Sequence, residues 1–290
     1  MAKLYGHLSK MRGSIGNVTY AQLNGQTVAK EKVAPKDKPT RTLAQMELRT
    51  AWANIIAFWR TFSGNLKPSF ESKPRTLSDY NMFVSANAGV NRVYLTSEEA
   101  RNGGCVVDSY QITRGSLPSI GITFGENNIP KSDIAVGGLA LGASTTLKTF
   151  SKAILDNNTD WVNGDQLSIF ISHQTVDSQT GVPRVKTESV EITLDKNNET
   201  ALLGDMIDID LLTVSDGYLA LAGSVNGGVA MVHSRKSLSK TLVSTQFMVV
   251  QNPLLPSYTS DAAMDAAIVS YGGVLTEPFL TPNTDQLVAA

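Results

Sequence analysis

Gln166-Leu-Ser-Ile-Phe-Ile-Ser-His173 and Val185-Lys-Thr-Glu-Ser-Val-Glu-Ile-Thr193, joined across Gln179-Thr-Gly181, decide how this chain is read. Both runs alternate with period two, the spacing that sends successive side chains to opposite faces of a sheet. The same period begins after Cys105, in Val106-Val-Asp-Ser-Tyr-Gln-Ile-Thr113 and Ile120-Gly-Ile-Thr-Phe124, which Gly115 and Pro118 separate. It returns over 217–222, 228–234 and 242–250. Residues 145–157 break the pattern with Leu147, Phe150, Ile154 and Leu155 at helical spacing. A last helix over 260–271 carries Met264, Ala267, Ile268 and Tyr271 on one stripe, and Gly272 stops it. Many short strands with turn residues between them predict an antiparallel, β-rich body over 105–290, sandwich- or barrel-like, with a C-terminal helix.

Residues 36–104 have a different character. Pro35 and Pro39 keep the charged connector Ala34-Pro-Lys-Asp-Lys-Pro-Thr-Arg41 out of helix. Thr42 and Gln45 then fit a capping box. Leu48, Trp52, Ile55, Ile56, Trp59 and Phe62 predict one apolar face of a long helix, ended by Gly64 and Pro68. Ser78 caps a second helix bearing Tyr80, Phe83 and Val84. Thr96-Ser-Glu-Glu99 is a further capping box, and Gly103-Gly104 closes it. The aromatic residues here read either as ordinary core or as a surface that glues subunits together.

Residues 1–35 read as an arm with a hairpin. Val18-Thr-Tyr-Ala-Gln-Leu23 and Gln26-Thr-Val-Ala-Lys30 flank Asn24-Gly25, the pair that supplies both positive-φ residues of a type I′ turn. Gly6, Gly13 and Gly16 precede it. The hairpin lacks a clean apolar face, and two strands alone are marginal in water. The fold class expected is therefore α+β: a basic N-terminal hairpin arm, a short helical segment and the β-rich body.

Charge divides along the same lines. Residues 1–75 hold 13 Lys/Arg against four Asp/Glu, a net of +9, which leaves 12 against 22, or −10, for the remainder. Lys30, Lys32, Lys36, Lys38 and Arg41 are the densest group and the candidate contacts for an anionic partner or a neighbouring subunit. They are dense enough to meet several phosphates, yet no DNA- or RNA-reading motif accompanies them. A solvated basic face without a partner is the plain alternative. No run approaches the ~20 apolar residues of a membrane span. The start has no apolar h-region, so no secretory signal is expected. Cys105 is the sole cysteine, which excludes an intrachain disulfide and fits a reducing compartment.

Motifs for chemistry are weak throughout. His7, His173 and His233 have no second His or Cys at metal spacing; the latter two read as surface or half-buried imidazoles at strand ends. Gly137-Gly-Leu-Ala-Leu-Gly142-Ala-Ser144 has the glycine spacing of a phosphate loop but Ala143 where the lysine belongs. Asp156-Asn-Asn-Thr-Asp160 and Asp195-Lys-Asn-Asn-Glu199 imitate half a calcium loop, with Trp161 and Thr200 at the obligatory glycine and Leu167 and Met206 at the bidentate glutamate. Turns are the plain reading, and Asp205, Asp208 and Asp210 read as solvated charge open to an adventitious cation. No catalytic, cofactor or metal residues are assigned, and an enzyme is not expected.

Gly13-Ser-Ile-Gly16-Asn17-Val18, with Asn24-Gly25-Gln26, Val28 and Lys32, and then Arg41-Thr42-Leu-Ala-Gln45, Arg49, Trp52 and Phe58, resembles an uncharacterised family from gut Bacteroidales and their phages and prophages. Val232-His-Ser-Arg235-Lys236 with Leu242-Val-Ser-Thr-Gln246 is similar to that family's Ser-Arg-Lys strand pair. Tyr110-Gln-Ile-Thr-Arg-Gly-Ser-Leu-Pro118 is similar to a stretch of its longer members. The family carries no activity or site residues to transfer. The resemblance implies a protein of a crAss-like or related Bacteroides phage, assembled in the host cytoplasm and built into the virion. Its expected role is structural: capsid-auxiliary, head–tail connector or tail component. Its expected partners are copies of itself and other virion proteins, with contact to packaged DNA a further alternative. A nucleic-acid-binding accessory protein is the second expectation. A carbohydrate-binding surface module using Trp161, Tyr218 or Tyr258 is the third.

Overall fold

The computed structural model describes residues 2–4, 11–23, 26–32, 42–64, 69–74, 76–90, 92–238 and 240–275. The Asn24-Gly25 turn, the 34–41 connector with Lys36, Lys38 and Arg41, Pro68, His7 and the tail beyond Pro278 lie outside these residues. The fold class is α+β, with an N-terminal β-hairpin and a C-terminal helix. The chain divides into two compact units, Met1–Arg41 and Thr42–Ala290.

The first unit is an antiparallel sheet of β1 (Ala2–Leu4), β2 (Gly13–Ile15), β3 (Val18–Leu23) and β4 (Gln26–Glu31), in the order β1-β4-β3-β2. Leu23 pairs with Gln26 and Val18 with Glu31, so β3 and β4 are in hairpin register. Gly16, at φ 57°, turns β2 into β3. Among residues 11–22 and 26–32 of this unit only Thr27 and Val28 are buried.

The second unit begins with α1 (Leu43–Phe62), α2 (Asp79–Asn87) and α3 (Ser97–Arg101). Each starts where its cap predicts. Thr42 Oγ1 accepts from Gln45 N at 3.3 Å, Ser78 Oγ from Asn81 N at 3.2 Å, and Thr96 and Glu99 complete both halves of a capping box. The strands that follow are β5 (Gln111–Thr113), β6 (Ile122–Phe124) and β7 (Pro130–Ala135). Helix α4 (Leu147–Asn157) leads to the long pair β8 (Gln166–Val176) and β9 (Pro183–Thr193). Then come α5 (Leu203–Met206), β10 (Leu212–Ser215), β11 (Tyr218–Leu221) and β12 (Gly227–Ser237). The chain closes with β13 (Lys240–Val243), β14 (Gln246–Phe247), β15 (Val249–Gln251), α6 (Leu255–Thr259) and α7 (Asp261–Ser270).

These strands build three sheets, all with antiparallel neighbours: β10-β11-β7-β6, β13-β12-β8-β9 with β15 also on β12, and β14-β5. The β8–β12 sheet is the middle layer. Leu167, Ile169, Ile171, Val229 and Met231 pack on one face against β6, β7, α4 and β11. Phe170, Ala230 and Val232 pack on the other against Ile55, Phe58, Phe62 and Phe83 of α1 and α2. Because both faces are covered, β8 is buried without a break from Leu167 to Ser172, its serines included.

Three expectations need correction. The buried side of α1 is Met46, Ala51, Asn54, Ile55, Phe58 and Phe62, whereas Leu48 and Trp52 are 44% and 47% exposed. The stripe is turned because Asn54, a polar residue, belongs to the core. Its Nδ2 donates to Val106 O and to Tyr110 Oη, each at 2.8 Å, and its Oδ1 accepts from Val106 N at 2.7 Å.

That contact also explains why residues 106–110 are not a strand despite their alternation. Side-chain amides, not a neighbouring strand, satisfy much of this backbone. Gln174 Oε1 accepts from Val107 N at 2.8 Å and Asn252 Nδ2 donates to Val107 O at 3.0 Å. Asn87 accepts from Gln111 N at 2.8 Å and donates to Gln111 O at 3.0 Å.

The third correction is that residues 242–250 form no single strand. β13 and β15 flank one side of β12 at its two ends, and between them β14 leaves to pair with β5.

Candidate functional site

Lys30 lies on β4 opposite Thr19, and Lys32 follows the strand with its N–H donating to Asn17 O at 2.6 Å. Both side chains are exposed where β4 leaves its sheet. The structure brings these two candidate contacts together; Lys36, Lys38 and Arg41 lie outside the described residues.

A second constellation sits inside the body and was misread from the sequence. His233 is not the surface or half-buried imidazole expected at a strand end: it is 1% exposed and lies within β12. The alternation Val229, Met231, His233 places it on the face toward α4, and extending that period by one step is the signal that could have found it. Its Nε2 lies 2.7 Å from Asp165 Oδ2. A carboxylate only accepts, so Nε2 carries the proton. Arg235, two residues along the same strand, donates from Nε to Asp165 Oδ1 at 2.8 Å and from Nη2 to Oδ2 at 2.7 Å. Arg235 Nη2 also donates to Asp160 O at 2.6 Å, and Val162 N donates to Asp165 Oδ2 at 2.8 Å. Trp161 stacks on the imidazole, centroids 3.9 Å apart and planes 12° apart.

Asp165 stands at the entry to β8, after a turn in which Gly164 takes φ 92°. Burial pushes its carboxyl up, but the hydrogen bonds from Arg235, His233 and Val162 outweigh that and bring it down to about 2. It is an ionised acceptor with both oxygens occupied. Chemically, this cluster locks the 160–165 loop onto β12.

Trp161 lines two cavities. One, of about 300 Å³, is lined by Ser119, Asp133, Asn158, Asp160 and His233. The other, an open groove of about 700 Å³, carries Lys148, Lys152 and Lys196 beside Asp156 and Glu199. Lys148 pairs with Glu199 across its rim.

The remaining motifs fall as follows. Burial pushes the Cys105 thiol far up, so it is held protonated and unreactive. His173 is half-buried within β8. Gly137–Ser144 forms turns and bends, with Gly137 at φ 59°. Asp156 lies in the last turn of α4, and residues 195–199 include a turn in which Asp195 accepts from Asn197 N at 2.9 Å. Trp161 is buried and Tyr258 half-buried, its hydroxyl donating to Glu99 at 2.8 Å; Tyr218 is 40% exposed. Among the described residues no group of three or more His, Cys, Asp or Glu could hold a metal. No protein-family model, curated protein or solved structure matches the chain.

Proposed function

We propose that the chain is a structural protein of a phage particle that acts through contacts between subunits. The observation that carries this reading is the N-terminal unit. Among the side chains of this unit whose burial is described, those of 11–22 and 26–32, one apolar side chain is buried, Val28. A sheet so poor in core gains stability from surfaces outside itself. The exposed pair Leu48 and Trp52, one turn apart on α1, supplies an apolar patch of the kind that marks interaction sites. The opposite charges of the two parts of the chain favour contacts between unlike ends. The assignment to a phage particle rests on the resemblance of the Gly13–Val18 and Arg235-Lys236 stretches.

Sedimentation of the full chain over a wide concentration range tests the contact reading. Defined oligomers are expected, shifted to smaller species by Leu48→Ser with Trp52→Ser. A strict monomer at every concentration overturns it. Mass spectrometry of purified particles tests the location, and absence of the chain from them removes the phage part. Exposed Lys30 and Lys32 keep nucleic-acid contact as the second reading. It requires DNA binding that weakens steeply with salt and loses slope in Lys30→Glu/Lys32→Glu.

A further inference from the structure

Asp108 precedes β5 and is 7% exposed. Its Oδ1 accepts from Ser109 N at 2.6 Å. Every ion pair among the described residues lies elsewhere. Burial pushes this carboxyl up, and the bonds from Ser109 offset that only in part. Asp165 and Asp108 therefore contrast sharply. Both are buried carboxylates, but Asp165 has Arg235, and Asp108 has no cation among the described residues.

Asp108 lines a cavity of about 640 Å³. Asn128 and Asn226 contribute amides to its wall; Met248, Val249, Leu255 and Pro256 contribute apolar surface. Among the described residues none that lines it is basic. Asn128 reaches the wall from a left-handed backbone, φ 58°, beside Asn127 at 57°.

We propose that this cavity receives an alkylammonium group, R–NH3+, with Asp108 as its counter-ion. A buried carboxylate without a counter-charge is unfavourable, and a ligand that supplies the charge relieves it. A primary ammonium has three donors, matching one carboxylate and neighbouring amide oxygens. Its alkyl stem suits the apolar wall, as lysine stems suit apolar surfaces elsewhere. An anion is rejected by charge. A hard divalent ion wants several oxygen ligands of high charge, and the lining offers a single carboxylate.

The test uses the full chain with its methionine methyl groups labelled for NMR, because Met248 reports from the wall. Butylammonium chloride is titrated in, with n-butanol and sodium butyrate as controls. A saturable shift of the Met248 methyl is expected with butylammonium alone, and about tenfold weaker binding in Asp108→Asn. Equal responses to butanol and butylammonium, no response, or undiminished binding in Asp108→Asn overturns the proposal. The wild-type comparison decides without any substitution. Asp108→Asn removes an unpaired charge, so its melting temperature is expected to hold or rise, which separates lost binding from lost fold.

A lysine of another copy and a free amine present the same group. If the Met248 signal moves with protein concentration, and Lys30→Gln/Lys32→Gln abolishes that movement, a neighbouring copy supplies it. If it moves only with added amine, the ligand is free. The ammonium site stands in either case and does not depend on assembly of the chain.

Discussion

Arg235 holds Asp165 through two guanidinium nitrogens at 2.8 and 2.7 Å, and this fork supplies the positive charge for a carboxylate that is wholly buried. Arg235→Met leaves that charge with the His233 hydrogen bond and a backbone amide. A loss of about 3 kcal/mol in unfolding free energy is expected. Arg235→Lys keeps the charge but not the paired geometry and should fall between the two. Urea denaturation of the three proteins gives the order; an Arg235→Met variant as stable as wild type would show that His233 alone suffices.

Acid should weaken the body through the same residue. Asp165 titrates at about 2 in the folded chain against an ordinary 3.8. Between these values the unfolded chain binds more protons than the folded one, so stability falls as pH falls. The contribution, about 2 kcal/mol, is complete above about pH 4 and is lost toward about pH 2. Asp165→Asn is destabilised at neutral pH but should lack this part of the acid slope. Parallel slopes in the two proteins would assign the acid sensitivity to other carboxylates.

Asn54→Leu fits the space but orphans the N–H and C=O of Val106, which the carboxamide now satisfies. A cost of about 3 kcal/mol or more is expected, larger than the change of volume alone predicts. Amide exchange offers a sharper readout than melting. The Val106 N–H should lose protection while those in β8 keep most of theirs.

Gln246 gives the opposite sign. Its Nε2 is buried with no partner among the described residues, while its backbone N–H donates to Thr113 Oγ1 at 3.1 Å. Gln246→Met keeps the length and removes the unsatisfied amide. Stability should be unchanged or rise by about 1 kcal/mol. A clear fall in melting temperature would reveal a partner for the amide.

Local signals proved readable where local physics decides. The caps at Thr42, Ser78, Thr96 and Ser260 mark helix starts because each hydroxyl answers a nearby backbone N–H. The long strands β8, β9 and β12 stand out by alternation. What escaped depends on distant residues. β7 hides because it buries Ser132, whose hydroxyl donates to Leu219 O at 2.7 Å, where a pattern of apolar residues would be sought. Asn54 belongs to the core only through Val106, its partner 52 positions away. Asp165 meets His233 and Arg235 from 68 and 70 positions away, and nothing near it announces that pair. Asp108 was legible only as one carboxylate in an alternating run; its isolation is a property of the folded cavity.

The amides around residues 105–111 also bear on how the protein is made. Asn54 and Asn87 leave the ribosome before that segment, but Gln174 and Asn252 leave long after it. Its backbone therefore waits, partly unanswered, until Asn252 has been made, 145 positions after Val107. Contacts of such sequence separation slow folding, and chains cut short of Asn252 lack the last of these partners. Truncated products should accordingly be prone to proteolysis and aggregation, so that incomplete chains are removed while complete ones persist.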